Sequence, residues 1–210
     1  AMFIIALDYL LEMAPDSPQA SRWKSLREGI ERNVRAHLWD VKRQKFIPHI
    51  YPEKSPIPEG FDELAIHYHG GTAIAIEAGL LSKDEIRTVN AQMLENVRLS
   101  GMPSIGLTLY PVYPDGFFHG GMSKAYLYQN GGDWTWFGGR MIQQLVVNGM
   151  VEEAYAEIHP MIERVIQNDG FYEWYGKGGV PSGSGNFKGS AGVLSKAIEL
   201  LRDWAEKNKS

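Results

Sequence analysis

The chain has 210 residues, 44% of them hydrophobic, so it can bury a core of its own, and we expect one domain over residues 1–210. Its net charge is −4, with Lys and Arg scattered among Asp and Glu, which argues against a phosphate-binding surface and a nucleic-acid partner. The sequence contains no cysteine, which excludes disulfides, thiolate metal sites and a cysteine nucleophile.

The opening segment is apolar but short. Asp8 and Glu12 interrupt it, and no basic residue precedes it. We therefore expect neither a signal peptide nor a membrane-spanning helix, no membrane partner and a cytoplasmic location.

Helical spacing of apolar residues dominates the chain. The first apolar stripe predicts a core-facing helix that ends before Pro15, and it consists of Phe3, Ala6, Leu7, Leu10 and Leu11. The later predicted helices cover residues 18–38, 62–78, 83–99, 136–148, 151–167 and 190–207. Residues 40–60 are an exception, because four prolines exclude a helix and residues 45–51 alternate as a strand does.

One pattern occurs twice, in residues 76–85 and again in residues 147–153. An apolar helix ends at a glycine, and an acidic first turn opens the next helix. The first helix of each pair has the composition of an inner helix, and the second is amphipathic, as an outer helix should be. The pattern predicts an all-α fold, a partial (α/α) toroid of αα-hairpins with long loops at the inner-helix entrance face.

Two segments, residues 128–136 and 171–176, combine aromatic rings, carboxylates and glycines at predicted helix ends. Aromatic faces stack on sugar rings, carboxylates and amides bind hydroxyls, and glycine lets the backbone approach a ligand. The mixture indicates a carbohydrate pocket, although aromatics that cap a helical core would give the same pattern. The candidate residues are Asn130, Asp133, Trp134, Trp136, Glu173, Trp174 and Tyr175.

Histidines near the predicted helix at residues 62–78 raise the question of a metal site. His67 and His69 diverge on a helix and no third ligand follows at the i+4 spacing, so we expect no metal. Tyr68 or His69 facing sugar hydroxyls is the preferred interpretation. Residues 178–185 lack the flanking strand and the Gly-Lys-Ser/Thr ending of a phosphate loop, so we expect a flexible lid and no cofactor.

Two motifs resemble those of known families. Asn-Gly-Gly-Asp-Trp at residues 130–134 resembles the Asn-Gly-Gly-x-Trp segment that opens an inner helix in neutral invertases and cellobiose-type phosphorylases. Residues 171–175, followed by a Gly/Ser-rich loop and a last helix, resemble the Glu-x-Tyr loop of trehalases and processing α-glucosidases. The chain thus looks like the C-terminal part of a six-hairpin, (α/α)6-barrel glycosidase. The resemblance implies hydrolysis of an oligosaccharide by inversion, with Glu173 as the general base that activates water.

The resemblance is incomplete, because a full toroid has twelve helices and this chain supplies about seven. Inverting glycosidases need two carboxyl groups about 6.5–9.5 Å apart, and in the families named the acid lies upstream of where this chain begins. Asp133 is the best second carboxylate in the chain, but its position also suits a helix N-cap. The alternative is a non-catalytic carbohydrate-binding or assembly module that lacks the acid, and a weaker alternative is a sugar epimerase that uses His69.

Three and a half hairpins cannot close a ring. We therefore expect the first helix to show Phe3, Ile4, Leu7 and Leu10 or Leu11 to water at an open edge. Exposing several hundred Å² of apolar surface forgoes several kcal/mol at about 25 cal/mol per Å². We expect either a homodimer whose two copies cover each other's open edges about a two-fold axis, or completion of the ring by a missing N-terminal half.

Overall fold

A computed structural model describes residues 1–209 of the chain. Its α-helices are α1 Met2–Met13, α2 Ala20–Leu38, α3 His69–Glu77, α4 Lys83–Ser100, α5 Thr135–Val147, α6 Val151–Asn168 and α7 Lys188–Lys207. The strands form antiparallel pairs of two residues each, β1 Trp39–Asp40 with β2 Lys45–Phe46, β3 His67–Tyr68 with β4 Leu109–Tyr110, and β5 Trp174–Tyr175 with β6 Pro181–Ser182. The predicted all-α class is confirmed.

The connections between helices alternate in length. The short ones, which join α1 to α2, α3 to α4 and α5 to α6, are residues 14–19, 78–82 and 148–150. The long ones, which lead into α3, α5 and α7, are residues 39–68, 101–134 and 169–187. The chain therefore consists of three αα-hairpins and a final helix, with the long loops at the entrances of the inner helices, as predicted.

The repeated sequence pattern is a repeated helix ending. Gly79 and Gly149 have φ values of 70° and 76°, in the left-handed region that residues with a Cβ rarely adopt. The residue after each glycine donates its N–H to a carbonyl oxygen of the last helical turn. Leu80 donates to Ala75 at 3.0 Å, and in the next hairpin Met150 donates to Leu145 at 2.8 Å. The same C-cap chemistry thus ends both inner helices and starts both outer ones.

The inner helices pack side by side, with α5 between α3 and α7, and α6 covers α5 from outside. Two glycines in α5 allow this close approach. A Cβ on Gly139 would lie 3.0 Å from the Val193 side chain of α7, and one on Gly138 would lie 2.7 Å from Met161 Sδ of α6. The main core fills the space between the inner and outer layers and includes Ile76, Ile86, Met93, Ile142, Leu145 and Ile158.

The start of α3 differs from the sequence prediction, which began this helix at residue 62. Residues Glu63–Ala65 form one 3₁₀ turn, and His67–Tyr68 pair with β4. The His69 N–H donates to the Thr108 carbonyl oxygen at 2.9 Å. A partner strand forty residues later in the chain therefore delays the helix. Likewise, the strand expected over residues 45–51 is reduced to Lys45–Phe46, because Pro48 cannot donate to a ladder.

Helix α1 is apolar on both of its faces. Ile4 and Leu7 are fully buried against the rest of the protein, whereas the sequence analysis placed them at the open edge. Phe3 is 56% exposed and Met13 is 73% exposed, and Leu10 lies on that outward face with them. Within residues 1–209, none of the helices combines the length and apolar character that crossing a membrane requires.

Candidate functional site

Backbone hydrogen bonds tie the entrance loops to one another. The Thr108 N–H donates to the Gly132 carbonyl oxygen at 3.0 Å. Asp133 and Tyr175 exchange two bonds, of 2.9 and 2.8 Å, between their N–H groups and carbonyl oxygens. The loop before α5 and the loop before α7 therefore form one surface, and Glu173 lies on it two residues before Tyr175.

Glu173 is half-buried and directly precedes β5. Its Oε1 lies 3.4 Å from the Tyr128 hydroxyl, and its Oε2 accepts from the Ser184 N–H at 3.4 Å. Both bonds are long, so the carboxylate keeps acceptor capacity for another donor. The loop after β5 passes close to Glu173 at Gly183, which has a φ of 72°. Glycine is needed there, because a Cβ at this position would lie only 2.8 Å from the Glu173 Cβ.

Tyr128 connects the aromatic residues of the two segments. Its ring contacts Trp134 edge-on at a centroid distance of 4.9 Å, and lies 6.2 Å from Trp174. Burial and the nearby Glu173 carboxylate raise the pKa of the Tyr128 hydroxyl, so the phenol stays protonated and donates. Trp134 and Glu173 are therefore on the same side of the helical layer. Of the two tryptophans that Tyr128 contacts, Trp134 is buried and Trp174 is partly open to solvent.

The Asn-Gly-Gly motif at residues 130–132 packs against the inner side of this surface. Gly131 has a φ of 90°, and a Cβ on Gly132 would lie 3.0 Å from the Trp174 ring. Asn130 is fully buried, where its Oδ1 accepts from the Tyr113 N–H at 2.9 Å and its Nδ2 donates to the Tyr113 carbonyl oxygen at 3.1 Å. The motif thus seats Trp174, while the Asn130 side chain holds the preceding loop.

Asp133 lies inside the protein and not on the surface. Its carboxylate is fully buried, with the Ser104 hydroxyl 2.7 Å from Oδ2 and Arg164 Nη1 2.8 Å from Oδ1. Arg164 comes from the buried face of α6, donates to the Thr135 hydroxyl at 2.7 Å and stacks 4.0 Å from the centre of the Tyr175 ring. The arrangement holds the loop that carries Glu173 against the start of α5.

The remaining candidate residues are enclosed or packed against other side chains. Trp136 is half-buried, and the Arg140 guanidinium carbon lies 4.4 Å from the centre of the Trp136 ring. Tyr175 is fully buried. His69 is enclosed, with its Nε2 2.9 Å from the Asn96 amide nitrogen. Burial lowers the pKa of His69 to about 3, so the imidazole is neutral.

Tyr68 belongs to a second polar cluster, in which its hydroxyl donates to the Tyr113 hydroxyl at 3.0 Å. Sequence reasoning did not select the partners that hold the site, namely Tyr128, Ser104 and Arg164. Arg164 had a usable signal, because its helical spacing places it on the apolar face of α6, where a cation needs a buried partner.

No protein-family model matches the sequence, and no curated protein matches it either. Similar solved structures include two crystal structures of GH63 mannosylglycerate hydrolase from Thermus thermophilus, one with Tris and D-glycerate bound and one with glucose bound. Each has a TM-score of 0.60 and 18% identity to this chain. The matches cover 94% and 93% of this chain but only 43% and 41% of those chains, so it spans less than half their length. At the level of the fold, the predicted likeness to part of an (α/α)6 toroid is confirmed.

Proposed function

We propose that the chain belongs to a glycoside hydrolase that acts on an oligosaccharide with inversion, and that Glu173 is the general base. The observation that carries the proposal is the Glu173 carboxylate, oriented by Tyr128 and Ser184 beside the half-buried Trp174. A base of this kind must hold a water and accept its proton, and the long hydrogen bonds leave Glu173 able to do so. The fold shared with a mannosylglycerate hydrolase supports the same chemistry.

The proposal assigns different roles to the two carboxylates named from the sequence. Glu173 touches the water, whereas Asp133, enclosed with Arg164, positions the loop. Trp174 offers a ring to the sugar, and Tyr128 keeps the carboxylate in place. The leaving group therefore needs an acid other than Asp133.

Replacing Glu173 with Gln tests the base. We expect turnover to fall about 10²- to 10⁴-fold, since the amide cannot accept the proton of water. Hydrolysis of aryl glucosides, aryl mannosides and mannosylglycerate is measured, with the anomeric configuration of the first product followed by NMR. Glu206→Gln, an exposed change on α7, is the matched control and should keep full activity. Turnover that survives Glu173→Gln would exclude Glu173 as the base.

A non-catalytic carbohydrate-binding module is the second candidate. The burial of Asp133 favours it, because the best second carboxylate of the sequence analysis has no access to a leaving group. Saturable sugar binding by the wild type without turnover on any of these substrates would support this candidate. An epimerase that uses His69 gains no support, because that imidazole is enclosed and bonded to Asn96.

We also propose that two copies associate through their open edges. Phe3, Leu10 and Met13 form an apolar face on α1 that nothing in residues 1–209 covers. At the other edge, a groove of about 630 Å³ between α6 and α7 is lined by apolar side chains that include Tyr155 and Trp204. A contiguous exposed apolar patch marks an interaction surface, so a second copy of this chain is the proposed cover.

Light scattering at micromolar concentration tests this association, and we expect the mass of a dimer. Phe3→Glu places a charge in the proposed interface and should yield a monomer. Leu99→Glu changes an equally exposed apolar residue on α4 and should leave the dimer intact. A monomeric wild type would contradict the proposal.

A further inference from the structure

A second carboxylate at the entrance face is surrounded by hydroxyl groups. Glu63 Oε1 accepts from the Tyr113 hydroxyl at 2.6 Å and from the Tyr51 hydroxyl at 2.9 Å, and lies 2.7 Å from His49 Nδ1. Tyr68 extends the cluster by donating to the Tyr113 hydroxyl. None of these hydrogen bonds involves Glu173, and the proposed hydrolysis gives the cluster no role.

The Glu63 carboxylate stays ionised. Burial opposes the charge, but the hydrogen bonds from Tyr113, His49 and Tyr51 lower the pKa of Glu63 below its usual value. Burial and the same carboxylate raise the pKa of Tyr51 to about 12, so this phenol remains a donor. The cluster is thus an anion whose tyrosine partners keep their protons at neutral pH.

The two Glu63 oxygens are unequally used. Oε1 contacts Tyr113, Tyr51 and His49, whereas Oε2 contacts only the Tyr51 hydroxyl, at 3.1 Å. The Tyr51 hydroxyl has one proton and also lies 2.9 Å from Oε1, so the two carboxylate oxygens share that donor. A carboxylate oxygen offers two lone pairs, so Oε2 can accept from another donor. The cluster is also open on one side, since the His49 side chain is 45% exposed while that of Glu63 is 10% exposed.

This open side faces a cleft of about 420 Å³, within the range of small-molecule sites. Its lining combines the polar cluster with apolar side chains, and it includes His49, Tyr51, Ile57, Pro58, Phe61 and Leu64. Such a mixture suits a sugar, whose C–H faces are apolar and whose rim consists of hydroxyls.

Ile57 and Phe61 of the cleft pack on a small second core. Ile66, Leu109 and Tyr113 are buried together, apart from the main core. Tyr113 also stacks on Phe117 at 4.8 Å and contacts Phe61 at 5.5 Å. The residue that donates to Glu63 is therefore fixed by its own packing, as a preformed binding site requires.

We propose that the Glu63 cleft is a binding subsite for a neutral, hydroxyl-rich ligand, a sugar ring or a small polyol. Hydroxyls of the ligand donate to Glu63 Oε2, and its apolar face packs on the lining that includes Ile57 and Leu64. An anionic ligand such as glycerate binds poorly, because its carboxylate would approach the ionised Glu63. The subsite does not depend on Glu173, so it can exist whether or not the chain is a hydrolase.

Methyl NMR tests the subsite with the whole chain. The Ile57 and Leu64 methyl signals are followed while D-mannose, D-glucose, glycerol and, separately, D-glycerate are added. We expect at least one neutral probe to shift both signals in a saturable way. Glu63→Gln should weaken that binding tenfold or more, whereas the matched control Glu59→Gln, an exposed carboxylate in the same loop, should leave it unchanged.

Two further variants separate the possible outcomes. Glu173→Gln should keep the Ile57 shift, which distinguishes this subsite from the proposed catalytic surface. Leu64→Ala removes part of the apolar lining from the exposed edge of the cleft and leaves the Glu63 side chain in place, so it should weaken binding even if Glu63→Gln does not fold. Absence of a saturable shift with every neutral probe, or equal binding by Glu63→Gln or by Leu64→Ala, would overturn the proposal.

Discussion

Arg164→Met is expected to lower the free energy of unfolding by about 3–5 kcal/mol, the usual cost of removing one partner from a buried ion pair. The Asp133 carboxylate is fully buried and lies 2.8 Å from Arg164. Without the guanidinium, only the Ser104 hydroxyl remains to stabilise the charge. Urea denaturation followed by circular dichroism measures the loss.

A matched control compares an exposed ion pair. Arg98 and Glu95 on α4 are 69% and 51% exposed, so Arg98→Met should leave the free energy of unfolding close to that of the wild type. Combining Arg164→Met with Asp133→Asn removes the orphaned charge and should recover part of the loss. Equal effects of Arg164→Met and Arg98→Met would show that the buried pair does not hold the loop.

Glu157 is expected to make the protein less stable as the pH rises. It is 8% exposed on α6, accepts from the Asn90 amide at 2.6 Å, and leaves both its Oε2 and Asn90 Oδ1 without a partner. Burial raises the pKa of Glu157 to about 7, with a smaller contribution from Glu153, while the Asn90 hydrogen bond opposes the shift. Protonation turns one oxygen of this enclosed carboxyl into a donor, whereas the ionised group can only accept.

The folded and unfolded states lose the Glu157 proton over different pH ranges. In the unfolded chain Glu157 has its ordinary pKa of 4.5, so below that pH both states hold the proton and the full contribution to stability is present. Between pH 4.5 and 7 the unfolded state loses the proton first, and stability falls. Above pH 7 both states are ionised, and the loss levels off at about 3 kcal/mol.

Denaturation curves from pH 4 to 8.5 measure this effect as a difference between variants. Glu157→Gln keeps a hydrogen-bonding partner for Asn90 and cannot ionise, so its stability should exceed that of the wild type increasingly from pH 5 to 8. Glu163→Gln, an exposed change on the same helix, should follow the wild type throughout. Parallel curves for Glu157→Gln and the wild type would show that Glu157 ionises normally in the folded protein.

The sequence by itself determined the features that depend on neighbouring residues. Gly79 and Gly149 each end an inner helix because a left-handed C-cap favours glycine whatever surrounds it. The outer helices α4 and α6 begin within one residue of their predicted starts for the same local reasons. The alternation of short turns and long loops then follows, and with it the order of the hairpins.

Tertiary structure alone decided which polar residues are enclosed. Asp133 and Glu173 both stand before inner helices in glycine- and aromatic-rich segments, yet one is buried with Arg164 and the other is partly open. The difference comes from an arginine thirty-one residues away on α6. His69 likewise lies inside because β3 pairs with Leu109–Tyr110 and turns α3 inward. Such pairings join residues that are distant in the chain, so no local pattern of residue types contains them.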